Sequence, residues 1–504
     1  MKKTRKLYII GVDSAPVWVI KELNSRFRLG GFARFMEDGV LMDLESTLPP
    51  ITAAAWPSIY TGLAPAEHGV MNFFTVDRNY TKQLMFYDPY KHPPFWEAVA
   101  DSGLKCLIVT PAMVTEPSSN PNVDMATGFP LKPQFSSEHL KSIAGKLGFS
   151  GEPEIEQDLK NSKITLKGAM KAYKQSIRAR AEFSKKMMGR NDYDLVFVCF
   201  TEIDRMQHYT LSLPDWQQYV GPLYAEISKF IEWLVSKRGD ANTSFMLVSD
   251  HGAQPIKKKL LLNSWLISKG YATLGSNSNL GGSMIDVTTQ ARSQSDSEGL
   301  RDQKYNEQLQ LSSKQPSIRF ICASVVENDE DFTSKRSFDM KNTGAFASLS
   351  NNPVSNIWIN DRRFSVPKVK GTKARLVREL TEELLELKQG EEKAIYKVHS
   401  GKSYYNGTKL FIAPDLIVEA RKGYTVDVFN HSEEIFGEPE AARRGDHTRQ
   451  GVFGFYPGSS AVKPINISVL DIAHMVLDYY GLGEKKGSKP RTKAYKKRGQ
   501  SNIT

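Results

Sequence analysis

Five separated stretches of this sequence carry side chains able to do metal or nucleophile chemistry. They are Asp13, Thr52 in Pro49-Pro-Ile-Thr52-Ala-Ala-Ala-Trp-Pro57, the pair Asp204 and His208, the pair Asp250 and His251 in Ser249-Asp-His-Gly252, and His447 in Arg444-Gly-Asp-His-Thr448. An Asp and a His four apart share one helical face and can offer two ligands to one cation, although such a pair is also an ordinary surface contact. Adjacent Asp250 and His251 would point to opposite faces inside a strand, yet at a strand end both can turn toward one site. A threonine followed by small residues and a helix-like segment can stand at a helix N-terminus. There free N–H groups favour a phosphate, and the hydroxyl can be activated as a nucleophile. The plainer reading makes Thr52 a helix cap and Asp13 a turn residue. Pro57 bears on both readings, because a proline that far inside a helix clashes with the carbonyl of Ala53. It points to a helix beginning nearer Trp56.

The elements that must position these residues are short apolar runs. Leu7–Val12, Lys105–Thr110, Asp194–Thr201 and Ser244–Ser249 are apolar nearly throughout rather than alternating. That is the pattern of strands covered on both faces in a parallel sheet. Segments of helical periodicity lie between them, such as Ile164–Lys186 and Trp216–Lys237. The alternation predicts an α/β doubly wound fold with a mostly parallel central sheet flanked by helices. In such sheets ligands bind beyond the carboxyl ends of the strands, so residues just after these runs can meet in space.

After His251 the texture changes, and residues 273–345 are rich in Ser, Asn, Gln and Asp, as in a cap or lid inserted over a site. Regularity returns at Asn356–Asn360, a helix near Lys373–Lys388, the strand-like Asp415–Glu419 and an amphipathic helix over Val469–Tyr480. The expected division is a catalytic core of residues 1–261 and 401–484, an inserted cap with return elements over 262–400, and a basic tail over 485–504.

Taken in order, Asp13, Thr52 with Thr61-Gly62, Asp204-x-x-x-His208, Ser249-Asp250-His251-Gly252 and Asp446-His447 resemble the metal-site series of the alkaline phosphatase superfamily. The closest resemblance is to its type I phosphodiesterase/nucleotide pyrophosphatase branch, especially the soluble predicted phosphohydrolases. Pro65-x-x-His68-Gly69, Asn263-x-Trp-Leu266, Ala413-Pro-Asp-Leu-Ile417 and Asp471-Ile-Ala fit the same pattern, so the resemblance covers residues 6 to 482.

It implies a metal-dependent phosphohydrolase with two divalent ions, Zn²⁺ first and Mn²⁺ second. One ion would be held by Asp204, His208 and His447. The other would be held by Asp13, Asp250 and His251, with the Thr52 hydroxyl beside it as the nucleophile that forms a phospho-threonine. Asp446 would orient or cap, His68 would be structural, and Asn72 is a candidate phosphate contact or a plain turn residue. Where nucleotide pyrophosphatases follow the nucleophile with Pro-Asn, this chain has Ala54-Ala55. That departure favours the predicted phosphohydrolases, and segments 111–165 and 262–400 would choose the substrate.

The expected reaction is hydrolysis of a phosphodiester or pyrophosphate bond, with phosphomonoester hydrolysis or transfer of the phospho group as the alternative. The substrate would be a small-molecule phosphate ester or a phosphorylated lipid or glycan intermediate. A cofactor-independent phosphoglycerate mutase ranks low, since that family normally uses a serine nucleophile. A fold that has lost its activity is disfavoured because all seven expected positions carry competent residues.

Nucleic-acid binding is the remaining class. The formal charge of +11 suggests it, but eight Lys/Arg lie in residues 485–504 and four more in the first six. These ends account for the whole excess, so the basic charge belongs to the termini rather than to a face on the body. Nucleic-acid binding would have to use the tail, whose plainer reading is a solvated, disordered segment. Three cysteines (Cys106, Cys199, Cys322) are too few and scattered for a disulfide framework, which suits a reducing, cytoplasmic compartment. The apolar stretch after the basic opening is too short for a signal peptide, and no run approaches the roughly 18 apolar residues of a membrane span.

Overall fold

The continuous apolar runs become strands because both of their faces are covered. In the computed structural model, which describes residues 5–80, 82–275, 338–348, 352–405, 413–428, 432–440, 443–457 and 466–483, seven strands form the central sheet. They are β1 (Lys6–Val12), β2 (Val40–Glu45), β3 (Cys106–Val109), β4 (Val123–Ala126), β5 (Leu195–Phe200), β6 (Thr243–Val248) and β7 (Gln450–Tyr456), in the order β2-β7-β6-β1-β5-β3-β4. Strand β1 runs parallel to β5 and β6, and β3 runs parallel to β4 and β5. Only β7 is reversed, lying antiparallel to both β6 and β2.

Alternate side chains of each strand feed two separate cores. Leu7 and Ile9 of β1 join Leu195, Phe197 and Cys199 on one face. Tyr8, Ile10 and Val12 join Val196, Val198 and Phe200 on the other. Helices α1 (Val17–Phe27), α2 (Gly30–Glu37), α4 (Leu166–Arg190), α5 (Glu202–Thr210) and α6 (Gln217–Arg238) pack on the second face. Helices α3 (Thr52–Thr61) and α8 (Asp471–Tyr479) pack on the first. The doubly wound, mostly parallel sheet expected from the apolar runs is therefore present.

A second, antiparallel sheet is ordered Ala345–Ser348, Val354–Ile359, Leu416–Ala420, Ile395–Ser400. Helix α7 (Ala374–Glu386) covers one face of it with Leu380 and Leu384. The other face carries Val354 and Ile417, which pack on Leu48 and Met71. Most of the Ser- and Asn-rich stretch 273–345, together with the basic tail 485–504 and Cys322, lies outside the described residues.

One local expectation fails. Helix α3 begins at Thr52, not near Trp56, and Pro57 lies inside it. Pro57 has no N–H to give the Ala53 carbonyl, a defect worth about 3 kcal/mol in an exposed helix. Here every residue from Thr52 to Tyr60 is buried, so packing outweighs that cost. The first turn is closed by the Ile51 carbonyl, which accepts from both Ala54 and Ala55 at 2.9 Å. Gly62, at φ 71°, ends the helix.

Candidate active site

Each candidate residue sits where a strand of the central sheet runs out, or next to one that does. At the end of β1 the Asp13 N–H still bonds the Phe200 carbonyl at 2.9 Å, and then the chain turns. Ser14 makes that turn in the left-handed region at φ 60°, a conformation that costs a non-glycine residue roughly 1–2 kcal/mol. The strain aims its N–H at Asp250 Oδ1, 3.1 Å away, and its carbonyl accepts from Gln207 Nε2 at 2.6 Å. Asp250 and His251 follow β6, and α5 follows β5 with Asp204 and His208 one turn apart.

His447 arrives from a distant stretch. Gly445–Thr448 pairs antiparallel with Gly252–Pro255 and sets His447 opposite Ala253. The rings of His251 and His447 consequently stack with centroids 3.9 Å apart.

Asp204 Oδ1 lies 3.3 Å from His208 Nε2 and 3.3 Å from His447 Nε2, and the two nitrogens are 3.1 Å apart. His251 Nε2 lies 3.2 Å from Asp250 Oδ2, 3.7 Å from Asp13 Oδ1 and 3.4 Å from Thr52 Oγ1. All seven residues expected to form the site are therefore in one cluster. Six are buried, and His208 is partly exposed.

Tautomers follow from the carbonyls around the rings. His208 Nδ1 is 2.8 Å from the Gly445 carbonyl, His447 Nδ1 is 2.9 Å from that of Pro50, and His251 Nδ1 is 3.2 Å from that of Gly252. A carbonyl only accepts, so in each neutral ring Nδ1 carries the hydrogen and Nε2 presents a bare lone pair. Asn352 Nδ2, at 3.4 Å from His447 Nδ1, is a longer contact that does not alter this assignment. Burial, followed by the neighbouring His447, holds His251 well below the usual imidazole range and keeps it neutral.

The carboxylates complete the picture. Trp56 Nε1 donates to Asp13 Oδ2 at 3.1 Å, while Oδ1 of Asp13, Oδ1 of Asp204 and Oδ2 of Asp250 are buried with no hydrogen-bond partner among the described residues. Burial pushes Asp13 far above the ordinary carboxyl range, and Asp250 and Asp204 add to the shift. Burial likewise raises Asp250. For Asp204 burial acts the same way but is outweighed by His208 and His447 when, in the absence of cations, their Nε2 atoms carry protons, and the net shift is then well downward. Three orphaned carboxylate oxygens and three bare imidazole nitrogens converging in a buried space are costly unless cations lie among them. The donor set fits divalent metal ions. Asp13, Asp250 and His251 form one group whose ligand atoms lie within 4.8 Å of one another, and Asp204, His251 and His447 form another.

Asp446 also lies near His208 and His447. Its oxygens are already engaged, however, by Thr425 Oγ1, by Arg443 Nη2 at 2.9 Å and by the His447 N–H at 2.9 Å. His68 is buried, and burial together with His92 lowers it to about 3. Its ring bridges Ser58 Oγ at 3.0 Å and the Val70 N–H at 3.2 Å, which ties α3 to the following loop. Asn72 is buried, and its Oδ1 accepts from the adjacent Phe73 N–H at 2.7 Å, a contact within its own turn rather than with the cluster.

Three residues of the site's surroundings were not anticipated: Ser14, Trp56 and Arg205. Arg205 donates to Asp204 Oδ2 at 3.1 Å. None stands in a spacing pattern that marks it, since each acts through a partner distant in sequence or through backbone conformation.

Gly445 permits the close approach of its strand to α5. A Cβ there would stand 2.3 Å from the Gln207 carbonyl oxygen. Gly445→Ala should therefore cost about 1–3 kcal/mol in urea unfolding and also lower turnover, because the Gly445 carbonyl orients His208. Wild-type stability in that variant would refute this packing.

Comparison with known proteins bears on the family and the fold. The family model described as type I phosphodiesterase / nucleotide pyrophosphatase matches residues 7–448. No curated protein matches the chain in sequence. Among solved structures, a phosphonoacetate hydrolase from Sinorhizobium meliloti 1021 is 11% identical, with 95% of this chain and 96% of that one covered, at a TM-score of 0.57. That likeness shows the shared fold. A murine ectonucleotide pyrophosphatase / phosphodiesterase 5 is 12% identical over 95% of each chain, at a TM-score of 0.48. With the family model spanning most of its length, the chain belongs to the type I phosphodiesterase/nucleotide pyrophosphatase family and is a metal-dependent hydrolase of phosphoester bonds.

Proposed function

We propose that the chain hydrolyses a phosphodiester or pyrophosphate bond by double displacement, with Thr52 as the nucleophile. The observation that carries this reading is the position of Thr52 Oγ1, which is buried, in the first turn of α3, and 3.4 Å from His251 Nε2 among the converging ligand atoms. Asp13, Asp250 and His251 would hold one divalent ion and Asp204, His208 and His447 the other, with Zn²⁺ the first choice and Mn²⁺ the second. Two such ions supply a lowered pKa for the attacking hydroxyl and charge for the oxygens of the transferring group.

The chain's own residues do the rest. The N–H groups of Thr52 and Ala53 precede the first bonded amide of α3 and would meet the oxygens of the phosphorus group. Trp56 fixes the Asp13 carboxylate through Oδ2, and Asp446 orients the backbone at His447. Thr52 Oγ bonds to phosphorus as the first leaving group departs. The resulting phospho-threonine is then hydrolysed by water, which regenerates the hydroxyl.

Phosphodiester and pyrophosphate bonds are preferred to monoesters because they are the bonds named by the family. A small-molecule ester or a phosphorylated lipid or glycan intermediate is the substrate class. The free, buried Cys106 and Cys199 support a reducing, cytoplasmic setting. No helix among the described residues is long and apolar enough to cross a membrane.

The test is turnover of bis-p-nitrophenyl phosphate against p-nitrophenyl phosphate by protein stripped of metal and reloaded with Zn²⁺ or Mn²⁺. Faster metal-dependent release from the diester is expected. Faster release from the monoester would replace the diester reading with a phosphomonoesterase, and binding of two metals without turnover of either ester would point to transfer.

A further inference from the structure

Arg205 occupies a place that its sequence position does not explain. Adjacent side chains on a helix do not face one another, yet its guanidinium turns back to Asp204 and donates through Nη1 to Oδ2 at 3.1 Å. It is held there from the far side. Nε donates to Glu152 Oε1 at 2.9 Å and lies 3.4 Å from Glu156 Oε1, and the guanidinium carbon sits 4.5 Å above the Phe129 ring. Glu152 is fixed in turn, its Oε2 accepting from Thr201 Oγ1 at 2.9 Å at the end of β5. All three carboxylates around Arg205 have side chains less than a tenth exposed.

We propose that Arg205, anchored by Glu152, is a positioning residue for the cation site at Asp204, His208 and His447. It occupies Oδ2 of Asp204 so that Oδ1 alone faces the two histidines. This inference rests on reading those three residues as ligands.

A free carboxylate rotates about its last bond and presents either oxygen, or both. With Oδ2 held, Asp204 Oδ1 stays 3.3 Å from each imidazole nitrogen, a preformed monodentate arrangement. The planar fork of arginine makes the Asp204 and Glu152 contacts from two different nitrogens at once, which an ammonium at the same place cannot reproduce. The guanidinium, itself partly buried, also brings one positive charge to a region where Asp13, Asp204 and Asp250 are buried together. The loop carrying Glu152 thus connects the cation site to a segment that follows β4 in the chain.

The experiment measures Zn²⁺ binding to the full-length protein by competition with a chromophoric chelator, beside circular dichroism and thermal melting. Arg205→Gln should weaken one of the two bound ions by about 10- to 100-fold and leave the other unchanged. Arg205→Lys should fall between Gln and wild type. Glu152→Gln should weaken the same ion, and it decides the matter if Arg205→Gln does not fold. Asp204→Asn is the control and should lose that ion outright. Wild-type affinity for both ions in the Arg205 and Glu152 variants, with one ion lost in Asp204→Asn, would make the network merely structural and overturn the proposal. Two ions at wild-type affinity in Asp204→Asn would overturn the ligand reading, and the positioning role with it.

Discussion

Replacing Thr52 with alanine is expected to lower kcat by about 10⁴- to 10⁶-fold while both metal ions remain bound and the melting temperature stays near that of the wild type. The hydroxyl is the only group lost that touches the reaction. Thr52 is not the N-cap of α3, a position held by Ile51, so its removal opens no helix end. Alanine is also the better helix former at an interior position. Steady-state assays with the metal-loaded variant, beside metal analysis and a thermal melt, check all three parts. A loss below tenfold would mean that water attacks phosphorus directly and that Thr52 only lines the site.

Removing the metals is the second large effect. Turnover should disappear in the stripped protein and return with Zn²⁺. The stripped protein should also show a distinctive pH dependence of stability. Asp13 and Asp250 are raised well above the ordinary carboxyl range, chiefly by burial, and Glu156 is pushed up to about 8 for the same reason. Between the ordinary carboxyl value, about 4, and these raised values, the folded protein holds protons that the unfolded chain has already released. Stability therefore falls as pH rises through that interval.

His68 and His251, both held below the ordinary imidazole value, act in the opposite sense within that interval, but the three raised carboxyls outweigh them. Two further groups act at lower pH. At Glu226 burial is outweighed by Arg178 and Lys229, which bring it down to about 2. Asp204 is likewise lowered, so both contribute stability that is lost only as pH falls below the ordinary carboxyl value. The metal-free melting temperature should accordingly drop between about pH 5.5 and pH 8. The increment from saturating Zn²⁺ should be larger at the upper end, since bound cations replace the missing protons. Scanning calorimetry of both forms at the two pH values measures this. A metal-free protein that gains stability as pH rises would contradict the placement of Asp13 and Asp250 in a shared buried space.

The strands and the site were legible in the sequence for one reason. Strands buried on both faces leave unbroken apolar runs, and a parallel sheet gathers whatever follows those runs at one edge. Asp13, Asp204 and Asp250 could be placed together on that basis. His447 could be placed with them only through the family resemblance, because its strand partner, Ala253, is nearly two hundred residues away.

What the sequence concealed depends on tertiary contacts. Pro57 argued against a helix starting at Thr52, and nothing local reveals that complete burial of α3 outweighs the defect. Trp56 reads as core until it is seen donating to Asp13, and Arg205 reads as a surface charge until Glu152 and Glu156 close around it. The left-handed turn at Ser14 has no glycine to announce it.

Attack by Thr52 followed by attack by water comprises two in-line displacements, each of which inverts phosphorus. The most direct measurement is therefore the stereochemical course of hydrolysis of a chiral phosphorothioate diester in isotopically labelled water. Net retention of configuration at phosphorus is predicted. Net inversion would show a single displacement by water and would contradict Thr52 as the nucleophile.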